Sequence, residues 1–199
     1  MGNCIRTERR KYAVQDLCRV SRDGDLAAVQ IMLAKDPWMA RKGGVYGGRP
    51  LNIAIEGKGN PEVVRSLLDA GADPNVGLPL HAAVEKGREA AAELLLARGA
   101  RVDAKDPSGQ TALHLAVCWG RENLVRLLLK TGADVNARDN NGRTPFLCTA
   151  ISQSTEIAEM LIKQGADVNA RDKSGASAAD LAGGGDYVAW LRQHGASVR

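Results

Sequence analysis

Asp106 to Arg138 reads DPSGQTALHLAVCWGRENLVRLLLKTGADVNAR, and Asp139 to Arg171 reads DNNGRTPFLCTAISQSTEIAEMLIKQGADVNAR in the same register, with Asp172 opening a further copy. A period of 33 residues marks an array of stacked supersecondary units in place of a domain with one central core. Between Thr111 and Lys130 the apolar residues fall into two stripes. Leu113, Leu115, Ala116 and Val117 make the first, and Leu124, Val125, Leu127, Leu128 and Leu129 the second, with Gly120 between them. Two helices of about two turns each cannot bury such stripes alone, whereas copies laid side by side can, so stability becomes a sum over neighbour interfaces.

Local signals mark the ends of these helices. Thr111 stands at a helix start, where its hydroxyl can accept from an otherwise orphaned backbone N–H. Pro145, in the next copy, suits a first helical position because it lacks the donor that would go unused there. Gly99, Gly132 and Gly165 each follow a second helix, where a left-handed residue ends it cheaply. The stretch DVNARDNNG, Asp134 to Gly142, then reads as an extended turn projecting from the stack.

Working outward, five full or near-full units and a shortened terminal one are found. The first, about Lys11 to Arg41, keeps the Gly-turn and second-helix pattern in GDLAAVQIMLAKDP. The second has one extra residue in its helix-to-helix turn, since Ala54 to Gly71 spans 17 positions and Ala116 to Gly132 spans 16. The third has lost five residues before its LPLH, because Gly71 to His81 spans 10 positions against 15 from Gly99 to His114, so its projecting turn must be stunted. At the end, GASAADLA is a degraded copy of the first-helix motif, and the last helix, DYVAWLRQHG, is three residues short. Arg192 replaces the apolar residue of the earlier copies (Leu68, Leu96, Leu129, Ile162), which suits a capping helix that faces water.

TALH at Thr111 to His114, LPLH at Leu78 to His81 and the recurring G-A-D-V-N tails resemble the ankyrin repeat family. The resemblance covers about Lys11 to Arg199. It implies an all-α solenoid of stacked helix-turn-helix units with projecting β-hairpin-like finger loops. Residues 11–199 would then form the repeat domain, about five repeats plus a shortened C-terminal cap, and residues 1–10 a disordered basic N-terminus. In the family, imidazoles at the positions of His81 and His114 bond neighbouring backbone and tie adjacent units together. Leu147 occupies that column in the next copy and breaks the tie, and Gln153 replaces the glycine of Gly87 and Gly120, so the fifth unit is expected to be the softest.

Composition bounds the chemistry. With 44% apolar residues over 199 positions, the chain can bury a substantial elongated core and shows no sign of a second domain. There is no apolar run long enough to span a membrane and no apolar signal segment, and Cys4, Cys18, Cys118 and Cys148 have neither CxxC spacing nor disulfide density. These features fit a cytoplasmic, reducing location, the nucleus being an alternative. The net charge of +4 is localised: residues 1–22 hold six cations against two anions, and the rest of the chain is balanced at 21 of each. A neutral array without aromatic and basic residues interleaved is a poor nucleic-acid platform, and no specific nucleic acid is expected.

No catalytic pattern accompanies the repeats. The sequence contains no HExxH, no Walker-type Gly-Lys-Ser and no Ser/His/Asp set in a plausible context, and Gly183-Gly184-Gly185 follows a helix instead of a strand. His81 and His114 have structural explanations, and His194 precedes a helix-ending glycine. We therefore expect no enzyme, cofactor or metal site, and a monomer that works through its surface.

Carrying the family's variable contact positions onto this chain implies a concave binding face for a protein partner. It comprises Pro107, Ser108 and Gln110 in one finger with Cys118 and Trp119 on its helix, then Asn140, Asn141 and Arg143 with Ile151 and Ser152 in the next copy. Glu85 and Lys86 come from the third unit and Glu56 from the second. Trp119 lies outside the Leu115-Ala116 stripe and, with Cys118 and Ile151, would form an apolar spot of the kind that dominates interface energy. The alternative is that Trp119 folds over its own repeat as a cover. Trp38 and Trp190 read as packing residues of the end repeats, and Phe146 as core.

The start, MGNC followed by basic residues, supports a second reading. After loss of Met1, Gly2 could take a myristoyl chain and Cys4 a palmitoyl chain, and with Arg6, Arg9, Arg10 and Lys11 they would supply the two signals that stable membrane attachment needs. Arg6 stands where the acylation motif has Ser or Thr, so a plain surface terminus remains the competing reading.

Overall fold

The computed structural model describes residues 2–44 and 48–197, with side chains from residue 13 onward. Gly2 and Cys4, and the expectations for residues 1–10, lie outside the described side chains. Among the described residues there are twelve α-helices, one short 3-10 helix and no strand. They fall into two compact units, Met1–Ala100 and Arg101–Arg199.

The first unit contains three helix pairs. These are α1 (Gly2–Asp23) with α2 (Leu26–Lys35), α3 (Pro50–Glu56) with α4 (Pro61–Asp69), and α5 (Pro79–Glu85) with α6 (Glu89–Ala97). First helices pack on first helices, α1 on α3 and α3 on α5, and second helices on second helices, α2 on α4 and α4 on α6. Leu17, Ala54, Ile55, Val63, Val64, Leu67, Ala83, Val84, Ala92 and Leu95 are completely covered along these seams. Burying a residue such as Leu67 contributes about 1.5–3 kcal/mol relative to leaving it in water.

The two irregularities of this unit have physical solutions. The extra residue of the second repeat sits in the turn Gly57–Gly59, where a Cβ on Gly57 would lie 2.4 Å from the carbonyl oxygen of Arg22. Glycine is therefore required for the ends of α1 and α3 to approach, and the Lys58 N–H donates to that same carbonyl at 3.0 Å. The third repeat's stunted finger is a direct link: nine residues join α4 to α5, where fourteen join α8 to α9. That short link forces Leu78, at the N-cap of α5, into a left-handed conformation with φ +54°.

The second unit repeats the design with α7 (Ala112–Cys118) and α8 (Glu122–Lys130), α9 (Pro145–Ser152) and α10 (Thr155–Lys163), and α11 (Ala178–Ala182) and α12 (Asp186–Gln193). Helix α7 packs on α9 and α9 on α11, while α8 packs on α10. Leu113, Ala116, Val125, Leu128, Phe146, Ile157, Leu161 and Leu191 are fully covered. The chain's one phenylalanine is thus core, as its column predicts. The shortening expected in the last helix falls elsewhere: α12 keeps eight residues against nine in α10, whereas α11 has five against eight in α9. The glycine run Gly183–Gly185, all at positive φ, makes the reversal that so brief a helix needs. Arg192 is exposed, as a capping position requires, and Trp190 lies stacked between Tyr187 and His194 with ring centroids 5.7 and 3.9 Å away.

The column of Leu147 holds a compensation that its loss of a histidine hides. In the preceding copy, His114 is fully buried and its Nε2 faces the carbonyl of Arg143 at 3.0 Å. A carbonyl only accepts, so Nε2 carries the proton and Nδ1 accepts from the Thr111 N–H at 3.2 Å and the Thr111 hydroxyl at 2.9 Å. Burial holds this imidazole below its ordinary pKa and keeps it neutral. Leu147 makes no such tie, but two residues later the buried Thr149 hydroxyl donates to the Phe146 carbonyl at 2.6 Å and accepts from the Tyr187 hydroxyl at 2.5 Å. A polar link from α9 to α12 therefore stands near the place where the imidazole link is missing.

Candidate functional site

The finger loops are built by three aspartates at the repeat period. The Asp106 carboxylate accepts from the N–H groups of Ser108 and Gln110 at 2.9 and 2.8 Å, Asp139 from Asn141 and Arg143 at 2.8 and 2.9 Å, and Asp172 from Ser174 and Ala176 at 2.9 and 3.0 Å. In each finger the aspartate N–H also donates to the carbonyl four residues on, which closes a hairpin-like turn without forming a strand. Ser174 hydroxyl and backbone donors hold the Asp172 carboxyl below the usual carboxylate range.

Successive fingers are bonded to one another. Asn140 N–H donates to the Ser108 carbonyl and Lys173 N–H to the Asn141 carbonyl, both at 2.9 Å. Lysine and arginine side chains reinforce this ladder: Lys105 Nζ donates to the Arg138 carbonyl at 2.8 Å, Lys173 Nζ to the Asn140 carbonyl at 2.7 Å, and Arg138 to the Arg171 carbonyl at 2.9 Å. Gly109 permits the approach, since a Cβ there would come within 2.7 Å of the Asn140 nitrogen. A second ladder runs through the tails. Asn136 Nδ2 donates to the Gly165 carbonyl at 3.0 Å and Asn169 Nδ2 to the Gly195 carbonyl at 3.3 Å. The face the fingers present is thereby pre-organised, which lowers the entropy lost when a partner docks.

The residues expected to contact a partner divide by the work they already do. Asn140 is exposed, yet its amide donates to the Pro107 carbonyl at 3.0 Å, and Arg143 is half-buried with Nε 3.6 Å from the Asp172 carboxylate. Asn141, Ser108 and Gln110 supply backbone groups to the finger turns, and Ser108 also donates its hydroxyl to Asp106 at 2.7 Å. Pro107 is exposed at the finger tip. In the first unit Glu56 is exposed beside a small hollow of about 220 Å³ that Arg49, Asn52 and Ile53 also line, and Glu85 pairs with Lys86 at 3.3 Å.

Trp119 resolves in favour of exposure. It is the C-cap residue of α7 and keeps 58% of its surface accessible, while Ile151, near the end of α9, keeps 64%. A Cβ on Gly120 would lie 3.9 Å from the Cβ of Ser152, so the residues that precede these two, Trp119 and Ile151, sit on neighbouring turns of packed first helices. Large apolar side chains this exposed are otherwise found, among the described residues, at Ile31 on α2. A wider groove of about 490 Å³ lies on the second helices, lined by Arg126, Leu129, Lys130, Met160, Lys163 and Gln164, and contains none of the expected contact residues.

Cys118 is half-buried on α7, and Cys148 is buried on α9, which packs on α7. Cys148 follows Cys118 by 30 residues, three short of the repeat, and so lies about one helical turn back along the neighbouring first helix.

The model of the ankyrin repeats matches three overlapping stretches, residues 51–139, 80–172 and 132–199. The first helix pair lies outside these matches, although α1 packs on α3 and α2 on α4 as the later pairs do. No curated protein matches the chain. Ankyrin repeats are protein–protein interaction modules, and the period, the paired helices, the buried TALH histidine and the bonded fingers agree with the matched stretches. The chain belongs to the ankyrin repeat family.

Proposed function

We propose that this protein is a non-enzymatic adaptor that binds a protein partner through the fingers and first-helix ends of its Arg101–Arg199 unit. Trp119 and Ile151 form the anchor. The observation that carries this reading is the exposure of these two side chains, 58% and 64%, on adjoining turns of a unit whose fingers are already fixed by their own hydrogen bonds. An exposed aromatic beside a rigid polar rim is the arrangement in which few residues supply most of the binding energy. The partner's complementary feature would be an apolar pocket able to take an indole, ringed by groups that pair with Pro107, Ser108 and Asn141.

Affinity purification compared between the wild-type chain and Trp119→Ala tests this. Because the side chain is exposed, the substitution leaves folding intact, and truncating an anchor of this kind costs about 2 kcal/mol or more of binding. A partner set that is lost or depleted with Trp119→Ala supports the docking face. Unchanged recovery of every partner by a folded variant refutes it.

A second reading rests on the charge distribution: the six cations in residues 1–22 stand beside Gly2 and Cys4, and the remainder of the chain is neutral. We propose that acylation at Gly2 and Cys4, assisted by this basic cluster, brings the adaptor to the cytoplasmic face of a membrane. No helix among the described residues is long and apolar enough to cross a membrane. Labelling cells with a fatty-acid analogue decides the matter. Label that disappears with Gly2→Ala supports attachment, and an unlabelled wild-type protein ends it.

A further inference from the structure

We propose that the groove between α8 and α10 is a second docking site, and that it takes an acidic segment of a partner protein with an apolar side chain among its carboxylates. The site shares no residue with the Trp119 face and goes beyond the docking reading above. It rests on how the groove is walled, on the charge left there without a carboxylate, and on the contrast with the matching groove of the first unit.

The walls follow from helical spacing. Arg126, Leu129 and Lys130 stand at i, i+3 and i+4 along α8, and Met160, Lys163 and Gln164 repeat that spacing along α10 and its C-cap. Each helix thus turns one row of adjoining side chains to the hollow of about 490 Å³. Leu129 and Met160 are half-buried and supply its apolar part, while Arg126, Lys130 and Lys163 are exposed.

Helix-end electrostatics accounts for only part of this charge. Lys130 and Lys163 stand in last turns, where a cation favours the dipole, but Arg126 lies a turn earlier. The carbonyls of Leu127 and Leu128 already accept from the Thr131 hydroxyl at 3.1 and 2.9 Å, so they do not occupy Lys130. Among the described residues neither Arg126 nor Lys130 has a carboxylate at ion-pair distance. Lys163 has Glu159 at 3.7 Å, an exposed pair of the kind that contributes little in water and yields to an incoming carboxylate.

The groove between α4 and α6, about 350 Å³, shows that the fold does not demand this charge. It is lined by Glu62 and Glu93 against Arg65 alone, and Glu62 and Arg65 already pair at 3.3 Å. Three cations and no carboxylate line the α8–α10 groove. Positive charge selects an anion, and the apolar residues narrow the choice. A bare phosphate leaves Leu129 and Met160 in water, whereas a segment with leucine or isoleucine between glutamates or aspartates covers them, and methionine adapts to the shape it meets. Among the described residues no aromatic side chain lines the groove, so stacked bases find no platform. The chain's own first 22 residues, with six cations against two anions, have the wrong sign.

The test is fluorescence anisotropy on the intact chain with a labelled heptapeptide of glutamate alternating with leucine. The expected result is saturable binding at or below about 1 mM that weakens severalfold as salt rises from about 50 to about 300 mM. Arg126→Gln, Lys130→Gln and Lys163→Gln should each weaken it about fivefold, and the three together by more than about tenfold. In the wild-type chain, which needs no variant to fold, the peptide should shield Lys130 and Lys163 from acetylation and leave the exposed Lys35 on α2 as reactive as before. Trp119→Ala should bind the peptide as wild type does, which separates a failure here from a failure of the finger-face reading. The proposal is overturned if the peptide does not bind, if the glutamine variants bind it unchanged, or if a peptide with serine for leucine binds as tightly. Preferential occupation of the groove by phosphatidylserine vesicles, a single-stranded oligonucleotide or a second copy of the chain overturns it as well.

Discussion

Gln153 occupies the turn position that Gly59, Gly87 and Gly120 fill in the preceding repeats, and it adopts the same left-handed backbone, φ +50° and ψ +24°. For an L-residue with a Cβ this conformation costs about 1–2 kcal/mol. Glycine removes that strain but loses about 0.5–1 kcal/mol more backbone freedom on folding. The side chain is exposed and contributes little packing, and the Gln153 N–H, 2.7 Å from the Thr149 carbonyl, is kept by glycine. Gln153→Gly should therefore stabilise the Arg101–Arg199 unit by about 0.5–1 kcal/mol. The mirror experiment is Gly120→Gln, at φ +62°, where a new Cβ would meet nothing closer than Ser152 at 3.9 Å. Strain alone would then operate, and stability should fall by a similar amount. In urea, with a slope of about 2 kcal/mol per molar, each change moves the midpoint by roughly 0.3–0.5 M, in opposite directions. Hydrogen exchange at the α9 and α10 amides should slow in Gln153→Gly and locate the effect. If Gln153→Gly leaves the midpoint where it was, or lowers it, while Gly120→Gln is tolerated, the assignment of strain to this turn is wrong.

Three further predictions use the same unit. Asp103 aligns with Asn136 and Asn169 but accepts only, taking the Asp134 N–H at 2.9 Å; Asp103→Asn keeps that bond and adds a donor for the Gly132 carbonyl, so stability should rise by about 0.5–1 kcal/mol in a denaturant titration. Tyr187→Phe removes the buried donor to Thr149 and should cost about 1 kcal/mol, with faster hydrogen exchange in α12; an unchanged midpoint would mean that the bond contributes nothing net. His114 is held below its ordinary pKa chiefly by burial, against the Arg143 carbonyl and Asp139, so below that value protons bind the unfolded chain in preference. Its penalty is absent above the usual imidazole range and grows as pH falls through it. The stability advantage of wild type over His114→Gln should accordingly shrink between about pH 7.5 and about pH 5.5, and a constant difference would contradict the buried neutral ring.

Much of the architecture is local and therefore legible in one dimension. Helix ends are chosen by short-range hydrogen bonding and backbone strain, so Pro145 at a first helical position and Gly132 or Gly165 beyond a helix declare themselves without neighbours. The period of 33 residues reports stacking because each pair of apolar stripes needs another pair to cover it. The same logic located the missing five residues before LPLH, which appear as a nine-residue link between α4 and α5. It assigned the shortening at the end to the wrong helix, since a deletion between Ala178 and Gly195 can be absorbed by either helix and packing favoured sparing α12, which carries the buried Tyr187, Val188 and Leu191.

The identity of the repeating unit and its family were determined by the sequence alone, because a one-dimensional period and single-residue caps encode them. How exposed each expected contact residue is, and which bonds it already makes, was decided only in three dimensions. Asn140 and Arg143 are engaged in contacts between fingers, and Trp119 at the end of α7 keeps 58% of its surface in water. The Tyr187–Thr149 bond belongs to the same class. It joins helices from different repeats, and whether two side chains meet across such an interface depends on the rotation of each helix about its axis, which tertiary packing sets.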